Sequence, residues 1–322
     1  MTNQATNIVV CFDHDRADGS STIDVLSSLF DRETQLTWRS GARGVADAYR
    51  FVAEHWEPGD SLFVFGAGAG GYRAHALTRL LDTVGIQHDG DGLLDYILAN
   101  WALPRTHRTA ADWERLDALA AELRGGRPAA PVRYLGVWDA TRPAGLQPLS
   151  APTNIRAGRH AVAIDTRRTA EDLSSPRVEQ VWFRGTHADI TGTGDGAAGL
   201  TRIALDWVLD GARRAGLRLT EHLHVTALPT PVVHDALAAG RRTPAMNLLA
   251  GVRYPHRLRV VPEGALVHAS VEFYLARQPH YWYRLPHCLT WADWGWPERG
   301  ERLLAISAAT PLEIVEVFEN AS

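Results

Sequence analysis

The residue types with chemical potential in this chain sit where apolar runs end. The turn Gly66-Ala67-Gly68-Ala69-Gly70-Gly71 lies between the run SLFVF and a stretch with helical spacing. Small residues there allow tight turning and expose amide groups at a helix N-terminus. Two chemistries use such a turn. Gly66, Gly68 and Gly71 satisfy the dinucleotide fingerprint G-x-G-x-x-G, whereas Gly66 and Gly70 frame the nucleophile elbow G-x-S-x-G with Gly68 in place of the serine. The dinucleotide reading calls for an acid about 20 residues on, at the end of a second strand. Asp89 and Asp91 fall in that window, in TVGIQHDGDGLLDYIL, with no apolar run before them. The elbow reading draws on Asp139, which ends VRYLGVWD, and on His187, which follows VWFRGTH. Turn, acid and imidazole thus come in the order of a hydrolytic triad, each at a strand's carboxyl end, where sites in parallel sheets gather.

Other clusters have plainer readings. Asp13, Asp15 and Asp18 invite a hard cation, but their spacing fits no calcium loop. Asp13-x-Asp15 after an apolar strand resembles haloacid-dehalogenase phosphatases, which use a later lysine. All 33 basic residues of this chain are arginine, so a solvated, helix-capping loop is expected and no metal site. The same absence of lysine excludes Schiff-base and P-loop chemistry. Asp189 is read as capping a turn or helix, and Asp165 with Arg167 and Arg168 as a structural ion-pair network. Cys11 and Cys288 are too few for a disulfide framework.

The elements that must hold these residues alternate. The apolar run Ile8–Phe12 reads as a buried parallel strand, and Ser61–Phe65, Val132–Trp138 and Val178–Phe183 read as further strands, with His160–Ile164 either strand or helix. Helices are expected over Ser21–Phe30, Ala46–His55, Tyr72–Val84 and Leu200–Ala215. Strands alternating with helices imply an α/β fold, a mainly parallel sheet covered on both faces. The mainly helical stretch 87–127 reads as a cap or lid insertion. Residues 217–322 read as an irregular extension of the same domain, with an aromatic-dense segment, HYWYRLPHCLTWADWGWPERG, expected to cover a core edge. One domain spanning 1–322 is expected.

Length and charge bound the rest. With 322 residues, 45% of them hydrophobic, a sizeable core is expected, and a net charge near −4 gives no footprint for nucleic acid. The N-terminal apolar run is too short for a signal sequence or a membrane span, so a cytoplasmic protein is expected where it is made. Export through a dedicated apparatus would leave no such signal.

Taken together, the motifs resemble the Tle-type phospholipase effectors of type VI secretion, in the α/β-hydrolase superfamily. IVVCFDHDR is similar to the family's opening strand and Asp-Gly-Thr loop, with Asp13 kept and His14 and Asp15 substituted. HWEPGDSLFVFG is similar to its Y-x-P-G-D segment, and Gly66 to Tyr72 to its elbow G-F-S-R-G-A-Y, with Gly68 on the serine and Ala69 on the arginine. Gly136 to Thr141 resembles G-V-W-D-T-V, His160 to Arg168 resembles H-A-L-A-x-D-E-R-R, and Trp182 to Gly192 resembles W-F-P-G-x-H-S-D-V-G-G. VHASV around His268 is similar to the late H-x-S-V. The resemblance covers nearly the whole chain.

It implies Asp139 as the charge-relay acid and His187 as the general base, with His268 a second candidate imidazole. The oxyanion and ligand side would draw on Asp13, His14, Gly66, Ala69, Gly70 and Asp189. No residue carries the nucleophile, since Ser61 lies about 20 Å back along its strand at roughly 3.3 Å per residue. Loss of that nucleophile can remove about six orders of magnitude of turnover. The first expectation is a non-hydrolytic protein binding a small molecule, a lipid-like ligand or a protein partner in the old cleft. The second is an enzyme using the His187/Asp139 pair as a general base without an acyl-enzyme, and the third a dinucleotide-dependent enzyme. The first two require no cofactor.

Overall fold

Apolar β-branched runs offer no polar face to water, so they belong in the middle of a sheet covered on both sides. The computed structural model describes residues 5–13, 21–40, 44–87, 92–102, 109–125, 129–173, 175–193, 198–220 and 258–296. Among these, β1 (Asn7–Phe12), β2 (Gln35–Ser40), β3 (Ser61–Ala67), β4 (Val132–Trp138), β5 (Gly158–Ala163), β6 (Val178–Phe183), β7 (Ala265–His268) and β8 (Leu289–Ala292) form one sheet. Its order is β2-β1-β3-β4-β5-β6-β7-β8, and every pairing is parallel. The chain moves outward one way from β1 to β2 and the other way from β3 on. A switch point therefore falls between β1 and β3, where ligands bind at the carboxyl ends in such sheets.

Successive strand residues face opposite sides, and the core divides accordingly. Ile8, Val10 and Phe12 pack with α2 (Val45–His55) and α3 (Ala69–Val84), whereas Val9 and Cys11 pack with α1 (Thr22–Ser28) and α7 (Ala198–Arg214). On the α7 side the large polar-tipped aromatics are satisfied. Tyr134 donates its hydroxyl to the Val208 carbonyl at 2.7 Å, and Trp138 its indole N–H to Ala204 at 3.3 Å. The described part of 87–127 is helical, as α4 (Gly92–Trp101) and α5 (Ala110–Arg124), whose Ile97, Trp101 and Leu116 join the α2–α3 side of the core.

β2 has no continuous apolar run to mark it in the sequence, yet it pairs with β1 along six residues. His160 belongs to a strand, β5. The stretch read as an irregular extension carries, in its described part, β7, α8 (Ser270–Arg277), a 3₁₀ turn (Pro279–Arg284) and β8. β7 and β8 are four residues each, too short for a period to show. Within the aromatic segment, Tyr281 and Trp291 pack on a third cluster formed by Val162, Trp182 and Val267, while Trp282, Tyr283 and Trp294 are exposed.

The turn between β3 and α3 rests on close backbone approach. A Cβ on Gly70 would lie 2.2 Å from the Phe12 carbonyl oxygen, and one on Gly66 would lie 2.3 Å from the Gly70 oxygen. Neither backbone can yield without shifting β1 against β3. Gly70→Ala should therefore lower unfolding free energy by about 2–3 kcal/mol in chemical denaturation. A change within about 0.5 kcal/mol would contradict this packing.

Candidate active site

Gly68 sits between β3 and α3 with φ 56° and ψ −121°, a combination that strains any residue with a Cβ. Its amide donates to the Trp138 carbonyl at 2.8 Å, and its own carbonyl accepts from Thr141 at 3.0 Å. The elbow thus brackets Asp139, the residue just past β4. Asp139 also has a left-handed backbone, φ 42°. Its amide donates to Ala161 at 2.7 Å, and its Oδ1 accepts from the Ala163 amide at 2.9 Å. Two bonds to β5 hold the strained residue in place.

The Asp139 carboxylate is fully buried and faces the His187 ring, Nδ1 to Oδ2 2.7 Å. An ionised carboxylate only accepts, so the His187 proton sits on Nδ1, and proton transfer by this ring runs through Nε2. His187 opens the short helix α6 (His187–Thr191), behind the N-cap Thr186. One further group completes the cluster and had no signal in the sequence. Arg259 places Nη1 2.5 Å from Oδ1 and Nη2 3.4 Å from Oδ2, and also donates to the Ala163 and Arg168 carbonyls. Burial alone would raise the Asp139 pKa, but the His187 hydrogen bond and the Arg259 guanidinium outweigh it and hold the carboxyl down to about 2.

A second buried imidazole supports this loop from below. His160 accepts the Ala140 amide on Nε2 at 3.1 Å and donates from Nδ1 to Gln180 at 2.9 Å. Burial lowers its pKa to about 4, so it stays neutral. His268 does not join the cluster. The Ser270 amide donates to its Nδ1 at 3.2 Å, and its Nε2 faces Asp293 at 3.0 Å. It carries the opposite tautomer, is wholly buried and stacks on Phe183.

The remaining candidates are placed as follows. Ala69 and Gly70 open α3, whose first amides lack intrahelical acceptors. Asp13 ends β1 beside the turn and pairs with Arg39, which also reaches Asp24 at 2.6 Å. His14, Asp15 and Asp18 lie outside the described residues, as do Asp89 and Asp91 of the dinucleotide reading. Among the described residues no group of carboxylates, imidazoles or thiols could hold a metal ion. Asp189 turns inward as the N3 residue of α6, its Oδ2 accepting from the Thr186 amide and hydroxyl at 2.7 and 2.8 Å. The pairing of Asp165 with Arg167 and Arg168 is corrected. Asp165 binds Arg284 at 3.3 Å, the Tyr281 hydroxyl at 2.7 Å and the Gly185 amide at 2.9 Å. Cys11 offers no replacement nucleophile, because its thiol is buried in the α7-side core and burial pushes its pKa up.

A doubly wound parallel sheet with an elbow at its switch point, an acid ending the next strand and a paired histidine after β6 defines an α/β-hydrolase-like protein. A family model described as "T6SS, Phospholipase effector Tle1-like, catalytic domain" matches residues 13–211. The chain belongs to that family. No match was found among curated proteins. Among solved structures it is similar to a Tle1 effector bound to the VgrG spike of the type VI secretion system, at 14% identity over 58% of this chain and 51% of that one, TM-score 0.29. It is also similar to an uncharacterized protein from Pseudomonas aeruginosa, at 13% identity over 95% and 62%, TM-score 0.40. ClbQ of the colibactin pathway is similar at 11% identity over 66% and 98%, TM-score 0.29. The chain spans about half of the first structure's length and three fifths of the second's.

Asp139 links stability to pH with a definite sign. Its pKa is depressed in the folded state, so its contribution is complete above the unfolded value of 3.8 and fades as pH falls towards about 2. Unfolding free energy should drop by about 2 kcal/mol across that window. Asp139→Asn should remove this acid limb and, by leaving Arg259 buried without its counter-charge, cost about 3 kcal/mol at neutral pH. Denaturant titrations at several pH values read both. An unchanged acid limb in the variant would contradict the assignment.

Proposed function

We propose that this chain is a family member that has lost the acyl-enzyme route and uses the old cleft to bind a ligand or partner. The observation that carries the reading is Gly68. It keeps the strained φ/ψ of an elbow at the nucleophile's position and supplies no side-chain oxygen. The first amides of α3 still suit a carbonyl oxygen or anion on a lipid-like or small ligand. Arg259 supports the same reading, because it draws the Asp139 carboxylate into a buried ion pair in addition to its contact with His187. Complex formation by a Tle1 effector with the VgrG spike makes a protein partner part of this proposal, with co-purification as its test.

Purified protein should neither react with a fluorophosphonate probe nor turn over fluorogenic esters above the background of a His187→Ala variant. Gly68→Ser places a hydroxyl at an elbow whose acid–imidazole pair is already built, and should produce probe labelling and at least about a hundredfold rise in ester hydrolysis, a small part of what a full triad supplies. The added Cβ should cost about 1–3 kcal/mol of stability. Robust wild-type turnover abolished by His187→Ala would sink the reading.

A second reading rests on the 2.7 Å contact between His187 and an ionised Asp139. That pair could act on water or a bound substrate as a general base without a covalent intermediate. Its mark is activity that resists the fluorophosphonate and disappears in Asp139→Asn. Probe labelling of the wild type would exclude it.

A further inference from the structure

The other end of the sheet holds a cavity of about 930 Å³. It opens where β4, β5, β6 and β7 begin and where α7 ends, so it lies roughly 20 Å along β4 from Asp139 at about 3.3 Å per residue. Arg133, Arg156, Arg159, Arg177 and Arg214 line it, against the carboxylates Glu179 and Glu263. The sheet register explains their meeting. Leu135 pairs with Gly158 and Gly158 with Val178, so Arg133 and Arg156 each stand two residues before one row, with Arg177 one residue before it.

The charges are unevenly compensated. Arg159 pairs with Glu179 at 3.3 Å and with Asp210 at 2.9 Å, and Arg214 shares Asp210 at 3.1 Å. Glu263 accepts the His287 and Cys288 amides. Arg133, Arg156 and Arg177 have no carboxylate partner among the described residues. Arg133 donates Nε to the Ala215 carbonyl, and Arg177 donates Nη1 to Thr153 and Ile155. Carbonyl bonds fix where a guanidinium points and leave its charge uncancelled.

From this geometry we propose that the cavity is a binding site for a small organic phosphate, separate from the elbow. Planar guanidiniums match the oxygens of phosphate in a fork, and three uncancelled charges suit a group carrying nearly two negative charges at neutral pH. Trp182 and Leu266 on the wall offer contact for an apolar body. The cavity volume is within the range of small-ligand sites, roughly 300–1,000 Å³.

The test uses inorganic pyrophosphate and the full chain in isothermal titration calorimetry. Wild type should bind saturably, less tightly as salt rises. Arg156→Glu should weaken binding by at least about tenfold, and Arg156→Gln by less, both with unchanged circular dichroism, since Arg156 is exposed. Cosedimentation with phosphatidylcholine vesicles containing phosphatidic acid, lost in Arg156→Glu, would assign the phosphate to a lipid headgroup. Pyrophosphate binding without cosedimentation would assign it to a freely diffusing ligand. Absence of saturable binding, equal binding by Arg156→Glu, or binding of hexaglutamate in preference to pyrophosphate would overturn the proposal.

Discussion

A fully buried carboxylate sets the terms for the carboxyl edge of this sheet. An ionised acid without water must be met by donors or surrender its charge. Asp139 is met by an amide of β5, an imidazole at the start of α6 and a guanidinium that enters just ahead of β7. Those groups are 24, 48 and 120 residues away in the chain. Compensating one charge thus draws the ends of β4, β5 and β6 to one point, and it over-determines a residue whose left-handed backbone would otherwise be unfavourable. The Asp139–His187 pair therefore has a structural role whether or not it acts on a substrate. Its survival cannot by itself argue for catalysis.

The elbow is separable from that charge. Its shape comes from β1 and β3 closing on Gly70 and Gly66, contacts that involve no catalytic atom. Serine in such a turn stores strain that catalysis makes use of, whereas glycine adopts the same dihedrals with little cost. The nucleophile can therefore be lost without disturbing the surrounding bonds. Trp138 and Thr141 still bind the Gly68 backbone as they would bind any residue there.

What could be read from the sequence follows physical range. β1 and β3 are mainly continuous apolar runs, and β4 and β6 end in apolar residues after the exposed Arg133 and Glu179, so the burial of their carboxyl ends is visible in the sequence. Asp139 and His187 were visible because Asp139 follows β4 directly and His187 comes four residues after β6. Arg259 was not, since nothing in LRVVPEG distinguishes it from 32 other basic residues until the fold carries it to Asp139. Asp165 shows the same limit. Its neighbours Arg167 and Arg168 looked like partners, yet the fold supplies Arg284, 119 residues on. Local spacing identifies elements and the groups at their ends, whereas long-range ion pairs depend on topology.

That topology also makes the sheet chemically polar. With every described strand running the same way, all strand ends face one rim and all strand starts the other. Acid and imidazole at the carboxyl rim come from residues just after β4 and β6. Arginines at the amino rim come from positions just before or just inside β4, β5 and β6, which the register aligns. In a chain of net charge −4, the clustering of three uncancelled guanidiniums there is a consequence of parallel register acting on arginines that are far apart in sequence. The charge that folding brought together at the carboxyl rim was neutralised there by Arg259. At the amino rim Glu179 and Asp210 answer Arg159 and Arg214, whereas Arg133, Arg156 and Arg177 have no carboxylate partner among the described residues, so their compensation falls to water, salt or an anionic ligand.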